Sequence, residues 1–215
     1  GVQTCALPIL GRQQVELYQI HLPMPPITVE TWMEMMIEAQ QAGLIGAVGV
    51  SNFNRTQMLR AYDTLIRQGI SLASNQVEYS LLDRKVERDG LLKLCQEMGI
   101  TLIAYSPLAM GLLTGKYSAE TPPPGMRGGR ISHKYLQRIQ SLISLVRRIG
   151  AEHEGRPPTQ VALNWVIAQG ALPIVGVKNA EQAEQNAGTL EWQLTSDEIA
   201  ELNEMSDRVT EQLSS

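Results

Sequence analysis

Gly46-Ala47-Val48-Gly49-Val50-Ser51-Asn52-Phe53-Asn54 carries three structural signals in sequence. Gly46 to Val50, small and β-branched, reads as a strand suited to a crowded interior. Ser51 and Asn52 place polar groups at its C-terminal end. Asn54 is an N-cap for a helix running toward Gly69, with Met58, Leu59, Tyr62, Leu65 and Ile66 as its apolar stripe. Strand, polar end and capped helix make one βα unit.

The same unit recurs on both sides. Upstream, Glu16 to Leu22 reads as a strand closed by Pro23 and the Pro25-Pro26 pair. A helix follows from Val29 to Ala42, capped by Thr28, with Thr31 and Glu34 offering a capping box and Gly43 ending it. Downstream come a strand from Ala73 to Tyr79, a helix from Val86 to Met98 and a strand from Ile100 to Tyr105. A long loop, Ser106 to Ser132, contains Pro122-Pro123-Pro124; loops of that length in a compact domain are functional or mobile. Helices from Lys134 to Glu154 and Pro158 to Gln169, a last strand from Leu172 to Val177, and helices from Asn179 to Ala187 and Ser196 to Ser206 complete the pattern. The last is capped by Thr195 or Ser196.

Five strands alternating with helices define an α/β chain with a parallel sheet. A TIM (β/α)8 barrel has about 250 residues. The expectation is therefore an incomplete barrel, from about the fourth strand to the C-terminus, with 10–215 as part of a single domain. Periodicity alone leaves an open doubly wound sheet as the alternative.

Composition narrows the function classes. The net charge is -4 and no Lys/Arg run occurs, so no electrostatic footprint for nucleic acid is present. Charged and polar residues interrupt every apolar stretch, which argues against a membrane partner. No secretory signal pattern opens the chain. Cys5 and Cys95 are too few for a disulfide framework and form no Cys-x-x-Cys pair, so a reduced, cytoplasmic setting is expected. Met33, Met35 and Met36 read as helix surface and core filler, and Cys95 as a small buried hydrophobe. His133 and His153 lack companion ligands, so no metal is expected.

The opening Gly1-Val2-Gln3-Thr4-Cys5-Ala6-Leu7-Pro8-Ile9 matches, residue for residue, the translation of a short-read sequencing adapter. Residues 1–9 are accordingly expected to be an artefact, with native sequence beginning near Leu10.

Motifs at the strand ends discriminate between the folds. Leu17-Tyr18-Gln19-Ile20-His21-Leu22-Pro23 resembles the fourth strand of the aldo-keto reductases. Gly49-Val50-Ser51-Asn52-Phe53 is similar to their fifth, and Asn75-Gln76-Val77-Glu78-Tyr79-Ser80 to their sixth. Ala104-Tyr105-Ser106-Pro107-Leu108, with Gly111-Leu112-Leu113-Thr114-Gly115-Lys116-Tyr117, resembles the seventh strand and its loop. The stretch from Pro173 to Gly188 resembles the eighth strand and the phosphate-binding helix start.

The resemblance implies an NADP(H)-dependent oxidoreductase that reduces a small-molecule carbonyl substrate, an aldehyde or ketone, by hydride transfer. His21 would orient the substrate carbonyl by hydrogen bonding. Ser51, Asn52 and Gln76 would hold the nicotinamide carboxamide, and Tyr105 would stack on the ring. Ser106, Pro107, Leu108, Ala109 and Met110 would line the pyrophosphate path, with Lys116 supplying charge. Gly176, Lys178, Gln182, Gln185 and Asn186 would face the 2′-phosphate and adenine. Many family members place Lys, Ser and Arg around that phosphate, where this chain has Gly176, Val177 and Gln182; Lys178 and Arg130 are the substitute cations. Gln185 stands where a Glu is usual.

The family's Asp-Thr-Ala…Tyr-Gly segment does not occur here. The catalytic Asp, Tyr and Lys are thus expected to be absent from this chain, leaving it inactive by itself. A cofactor-binding regulatory subunit with the same barrel and little turnover is the competing reading. An aldolase would need a strand-end Schiff-base Lys or a Gly-rich phosphate loop, and neither is found.

Overall fold

The structure, a computed structural model, describes residues 11–124 and 131–214. The chain divides into two compact units: Gly1–Val77 with Val86–Ile103, and Glu78–Lys85 with Ala104–Ser215.

In the first unit, β1 (Val15–Ile20), β2 (Ile45–Ser51) and β3 (Leu72–Glu78) run parallel in chain order, followed by the start of β4 (Thr101–Tyr105). The β1–β2 register pairs Val15 with Ile45 and Ile20 with Val50. Between β2 and β3 the register shifts at Val48/Gly49. Gly49 explains why small residues stand here: a Cβ on it would lie 2.5 Å from Ser74 Oγ and 2.8 Å from Gln19 Cγ.

Helix α1 (Val29–Gln41) is capped by Thr28, whose hydroxyl accepts from Thr31 N at 3.2 Å. Helix α2 (Arg55–Ile66) carries a full capping box between Asn54 and Gln57. The two helices pack together, and Arg60 clamps Glu30 with two hydrogen bonds of 2.7 and 2.6 Å. Met33, Met36, Met58 and Leu65 bury their apolar faces.

The single helix expected from Val86 to Met98 is two, α3 (Lys85–Arg88) and α4 (Leu91–Glu97). Gly90 separates them with φ +74°, a backbone that L side chains rarely adopt, and Asp89 Oδ1 accepts from Leu91 N at 3.0 Å to start the second. Cys95 is fully buried in α4, its thiol against Met58 Sδ at 3.5 Å, as a small hydrophobe should be.

In the second unit, Ala104 at the end of β4 accepts from Ile174 N at 2.9 Å, beside β5 (Leu172–Pro173). The strand expected from Leu172 to Val177 is thus two residues long. Pro173 has no N–H to continue a ladder, and Ile174 and Val177 remain exposed. Within the expected loop after β4 lies a 3-10 segment, Ala109–Thr114.

Helices α5 (His133–Glu152) and α6 (Pro158–Ala168) supply the apolar mass of this unit, with Ile139, Leu142, Ile143, Val146, Val161 and Trp165 buried. Helix α7 (Ala180–Ala187) is capped by Asn179, and a 3-10 turn, Gly188–Glu191, follows. Helix α8 (Ser196–Ser214) packs on α5. Thr195 and Glu198 form its capping box, Thr195 N donating to the Glu198 carboxylate at 2.7 Å and Glu198 N to Thr195 Oγ1 at 3.3 Å.

Helix α8 does not stop at Ser206. That residue is buried inside the helix, donating from Oγ to Leu81 O at 2.6 Å, and the stripe of Leu202, Val209 and Thr210 continues past it. Among the described residues no helix is long and apolar enough to cross a membrane.

Candidate functional site

The second unit contains a cavity of about 430 Å³ at the end of β4 and β5. Its wall is built from three short segments together with Thr159 at the start of α6. Ser106, Pro107, Leu108, Met110 and Lys116 come from the turn after β4. Gly176 and Lys178 come from the stretch after β5. Gln182, Gln185 and Asn186 come from one face of α7, spaced three and four residues apart.

The turn after β4 is conformationally unusual. Ser106, Ala109 and Met110 all have positive φ, at 53°, 47° and 54°. Asn52 and Glu154 are the other non-glycine residues with that property among those described. Such backbones are unfavourable for L residues and concentrate where a site imposes them. Hydrogen bonds hold the turn: Ala109 N donates to Ser106 O at 2.8 Å, Gly111 N to Leu108 O at 2.9 Å, and Thr114 Oγ1 to Gly111 O at 2.7 Å.

Electrostatically the wall is one-sided. Lys116 and Lys178 are its cations, and none of its described residues is acidic. Glu181 and Glu184, also on α7, are not part of the wall. At its edge Gln182 folds back, its Oε1 accepting from Lys178 N at 2.9 Å, while its own N–H donates to Asn179 Oδ1 at 2.9 Å. A Cβ on Gly176 would meet nothing within 4 Å, so the wall is open there.

Tyr105 ends β4 immediately before this turn and is half-buried. Burial, then the carboxylates of Glu78 and Asp83, push its hydroxyl above the ordinary range. Burial, then Asp83, does the same to the Glu78 carboxyl.

A separate polar cluster sits at the strand ends of the first unit. The Gln76 carbonyl accepts from Ser51 Oγ at 2.8 Å and from Asn52 N at 2.9 Å. Asn52 Nδ2 donates to Ser51 Oγ at 3.1 Å and to the His21 carbonyl at 3.2 Å. Four residues from β1, β2, β3 and their ends are thereby tied together, with the His21 side chain exposed.

The residues singled out from sequence fall into two groups, with Tyr105, at the end of β4, in neither. His21, Ser51, Asn52 and Gln76 meet in the first unit. Ser106, Pro107, Leu108, Met110, Lys116, Gly176, Lys178, Gln182, Gln185 and Asn186 line the cavity of the second. Ala109 lies within the strained turn without forming wall. Arg130, like residues 1–9, lies outside the described residues. Sequence reasoning assigned no role to Gly111, Thr114, Tyr117, Thr159, Ile174 and Val175, which also form the wall. Thr159 is one residue after the Pro158 that starts α6, and its place is a product of packing alone.

Parallel strands in chain order, helices after them and polar groups at their C-terminal ends are the marks of the β/α-barrel class. Residues 5–207 match the aldo/keto reductase family, and the chain belongs to that family. A chloroplastic pyridoxal reductase of Arabidopsis thaliana is 40% identical over 167 residues, covering 78% of this chain and 45% of that protein. The aldo-keto reductase yakc of Schizosaccharomyces pombe, whose name carries NADP(+), is 30% identical over 206 residues, covering 92% of this chain and 59% of its own. Among solved structures, the glycerol dehydrogenase of Gluconobacter oxydans superposes with a TM-score of 0.82 at 26% identity, covering 94% of this chain and 62% of that one. The chain spans about half the length of the curated relatives it matches.

Proposed function

We propose that this chain carries the cofactor-holding part of an NADP(H)-dependent reductase of aldehydes or ketones. The observation that supports it most is the cavity of the second unit: two lysines, no acid among its described residues, and a volume of about 430 Å³, within the range of small-molecule sites.

The donor set suits a phosphate-bearing dinucleotide. Lys116 and Lys178 offer ammonium groups, Ser106, Thr114 and Thr159 offer hydroxyls, and Gln182, Gln185 and Asn186 offer amides. Gly176 leaves room for a group to approach the backbone. Lys178 takes the 2′-phosphate in this reading, and the turn from Ser106 to Met110 takes the pyrophosphate with Lys116. Ser51, Asn52 and Gln76 are assigned the carboxamide, Tyr105 the stacking face and His21 the substrate carbonyl. The cofactor, when bound, supplies the hydride; the residues here hold and orient. A reducing, cytoplasmic setting, in which the Cys95 thiol stays free, belongs to the same reading.

Binding of NADPH and NADH to the purified chain, followed by fluorescence quenching, tests it. NADPH should bind in preference, and Lys178→Ala should weaken NADPH about tenfold while leaving NADH nearly unchanged, the scale of one lost charge-assisted hydrogen bond. Well-folded protein that binds neither nucleotide would overturn the assignment.

A further inference from the structure

Helix α6 presents two buried side-chain amides one turn apart, Gln160 at 5% exposure and Asn164 at 4%. They do different things. Asn164 Nδ2 donates to Trp192 O at 2.7 Å and Thr189 O at 3.3 Å, and its Oδ1 accepts from Leu194 N at 3.2 Å. All three partners follow α7. Gln160 holds α7 itself, its Nε2 donating to the Gln185 carbonyl at 2.7 Å.

That carbonyl is in the last turn of α7, where carbonyls lack an intrahelical donor. The cap residue Gly188 donates to Asn186 O and Glu184 O, and Gln160 reaches Gln185 O between them. The approach is close: a Cβ on Gly188 would lie 2.6 Å from Gln160 Nε2, so the helix ends on the one residue that admits the contact. Trp192 settles which way the Gln160 amide points. Its indole N–H, which can only donate, reaches Gln160 Oε1 at 3.1 Å and leaves Nε2 to face Gln185.

Helix α7 buries none of its own residues. Apolar packing therefore does little to place it, and the Gln160 bond carries correspondingly more of that task. The same helix supplies Gln182, Gln185 and Asn186 to the cavity wall.

We propose that Gln160 is a positioning residue for nucleotide binding: it holds the last turn of α7 so that the Gln182–Asn186 face and the Lys178 end meet a phosphate-bearing nucleotide in register. The role rests on the cavity being the NADP(H) site proposed above.

The experiment compares the whole chain with Gln160→Glu, Gln160→Met and Ser206→Ala. Gln160→Glu keeps the size and the acceptor for Trp192 but turns a carboxylate oxygen on the Gln185 carbonyl. Gln160→Met removes the donor, and with it the acceptor for Trp192, without adding charge. Ser206→Ala removes a buried side-chain-to-backbone bond of the same unit outside the cavity wall. Two readouts are taken: amide hydrogen exchange of residues 180–187, and dissociation constants for NADPH and NADH.

Both Gln160 variants should exchange the α7 amides faster, about tenfold for a bond of ordinary strength. They should also lower the preference for NADPH over NADH, whereas Ser206→Ala lowers the melting temperature and moves neither. Wild-type exchange across α7 in folded Gln160 variants would overturn the positioning role. Faster exchange with an unchanged NADPH preference would overturn its link to the nucleotide. A wild-type chain that binds neither nucleotide would instead overturn the cofactor reading, and the exchange data would still decide whether Gln160 holds the helix.

Discussion

The backbone N–H of Lys178 donates to Oε1 of Gln182 at 2.9 Å, closing a small loop at the start of α7. The side-chain oxygen thereby occupies the position at a helix start where an anion's oxygen is favoured. Gln182 is neutral, so the Lys178 N–H at the cavity edge is held by a group that an anion can displace.

Replacing that neutral group with a cation should change nucleotide choice. Gln182→Arg removes the acceptor for Lys178 N and adds a fork of donors able to grip a phosphate. The expected outcome is NADPH binding tightened about tenfold with NADH little affected. Titration of both nucleotides checks it; equal gains for the two would mean that the edge does not read the 2′-phosphate.

Gly49 stands between two strands that leave it no room. With a Cβ 2.5 Å from Ser74 Oγ and 2.8 Å from Gln19 Cγ, Gly49→Ala should destabilise the chain by about 1–3 kcal/mol through overpacking. Denaturant melts measure it. The loss should shrink when Ser74→Gly is added, because the nearer obstacle is gone, and full additivity would place the strain elsewhere.

Arg60 holds the Glu30 carboxyl well below its usual range, from 4.5 to about 2, with the Glu30 backbone assisting. A carboxylate whose folded value is depressed favours the fold in its ionised form. Its contribution is present above about pH 4.5 and lost as pH falls toward about 2. The pair is solvent-exposed, so the effect is small and salt-sensitive. Melting temperatures of wild type and Glu30→Gln should differ near neutrality and converge across that acid window; parallel curves would exclude the linkage.

Burial pushes the Cys95 thiol up to about 12, so almost none of it is thiolate near neutrality. Iodoacetamide should leave Cys95 unmodified in the native chain and alkylate it fully in denaturant, as read by peptide mass spectrometry. Rapid native labelling would show that α4 opens.

Local chemistry explains why much of this was legible in sequence. Asn54 with Gln57, Thr28 and Asn179 cap helices through contacts three residues away, and such signals lie wholly within a short window. The strand-end motifs are equally local, which is why His21, Ser51, Asn52 and Gln76, and the lysines of the cavity, stand out in the sequence alone.

Tertiary structure decided what a window cannot hold. It cut the strand after Ala171 to Leu172 and Pro173 and gave the following residues to the cavity wall. It carried α8 past Ser206, because the hydroxyl there meets Leu81, 125 residues away in sequence. It joined Gln160 to Gln185 and to Trp192 across 25 and 32 residues, a pairing with no periodic trace. The sequence by itself determined the βα order, the helix caps and the family motifs, since these depend on neighbours along the chain. Which polar groups are buried, and which carbonyl each must satisfy, depends on residues that only packing brings together.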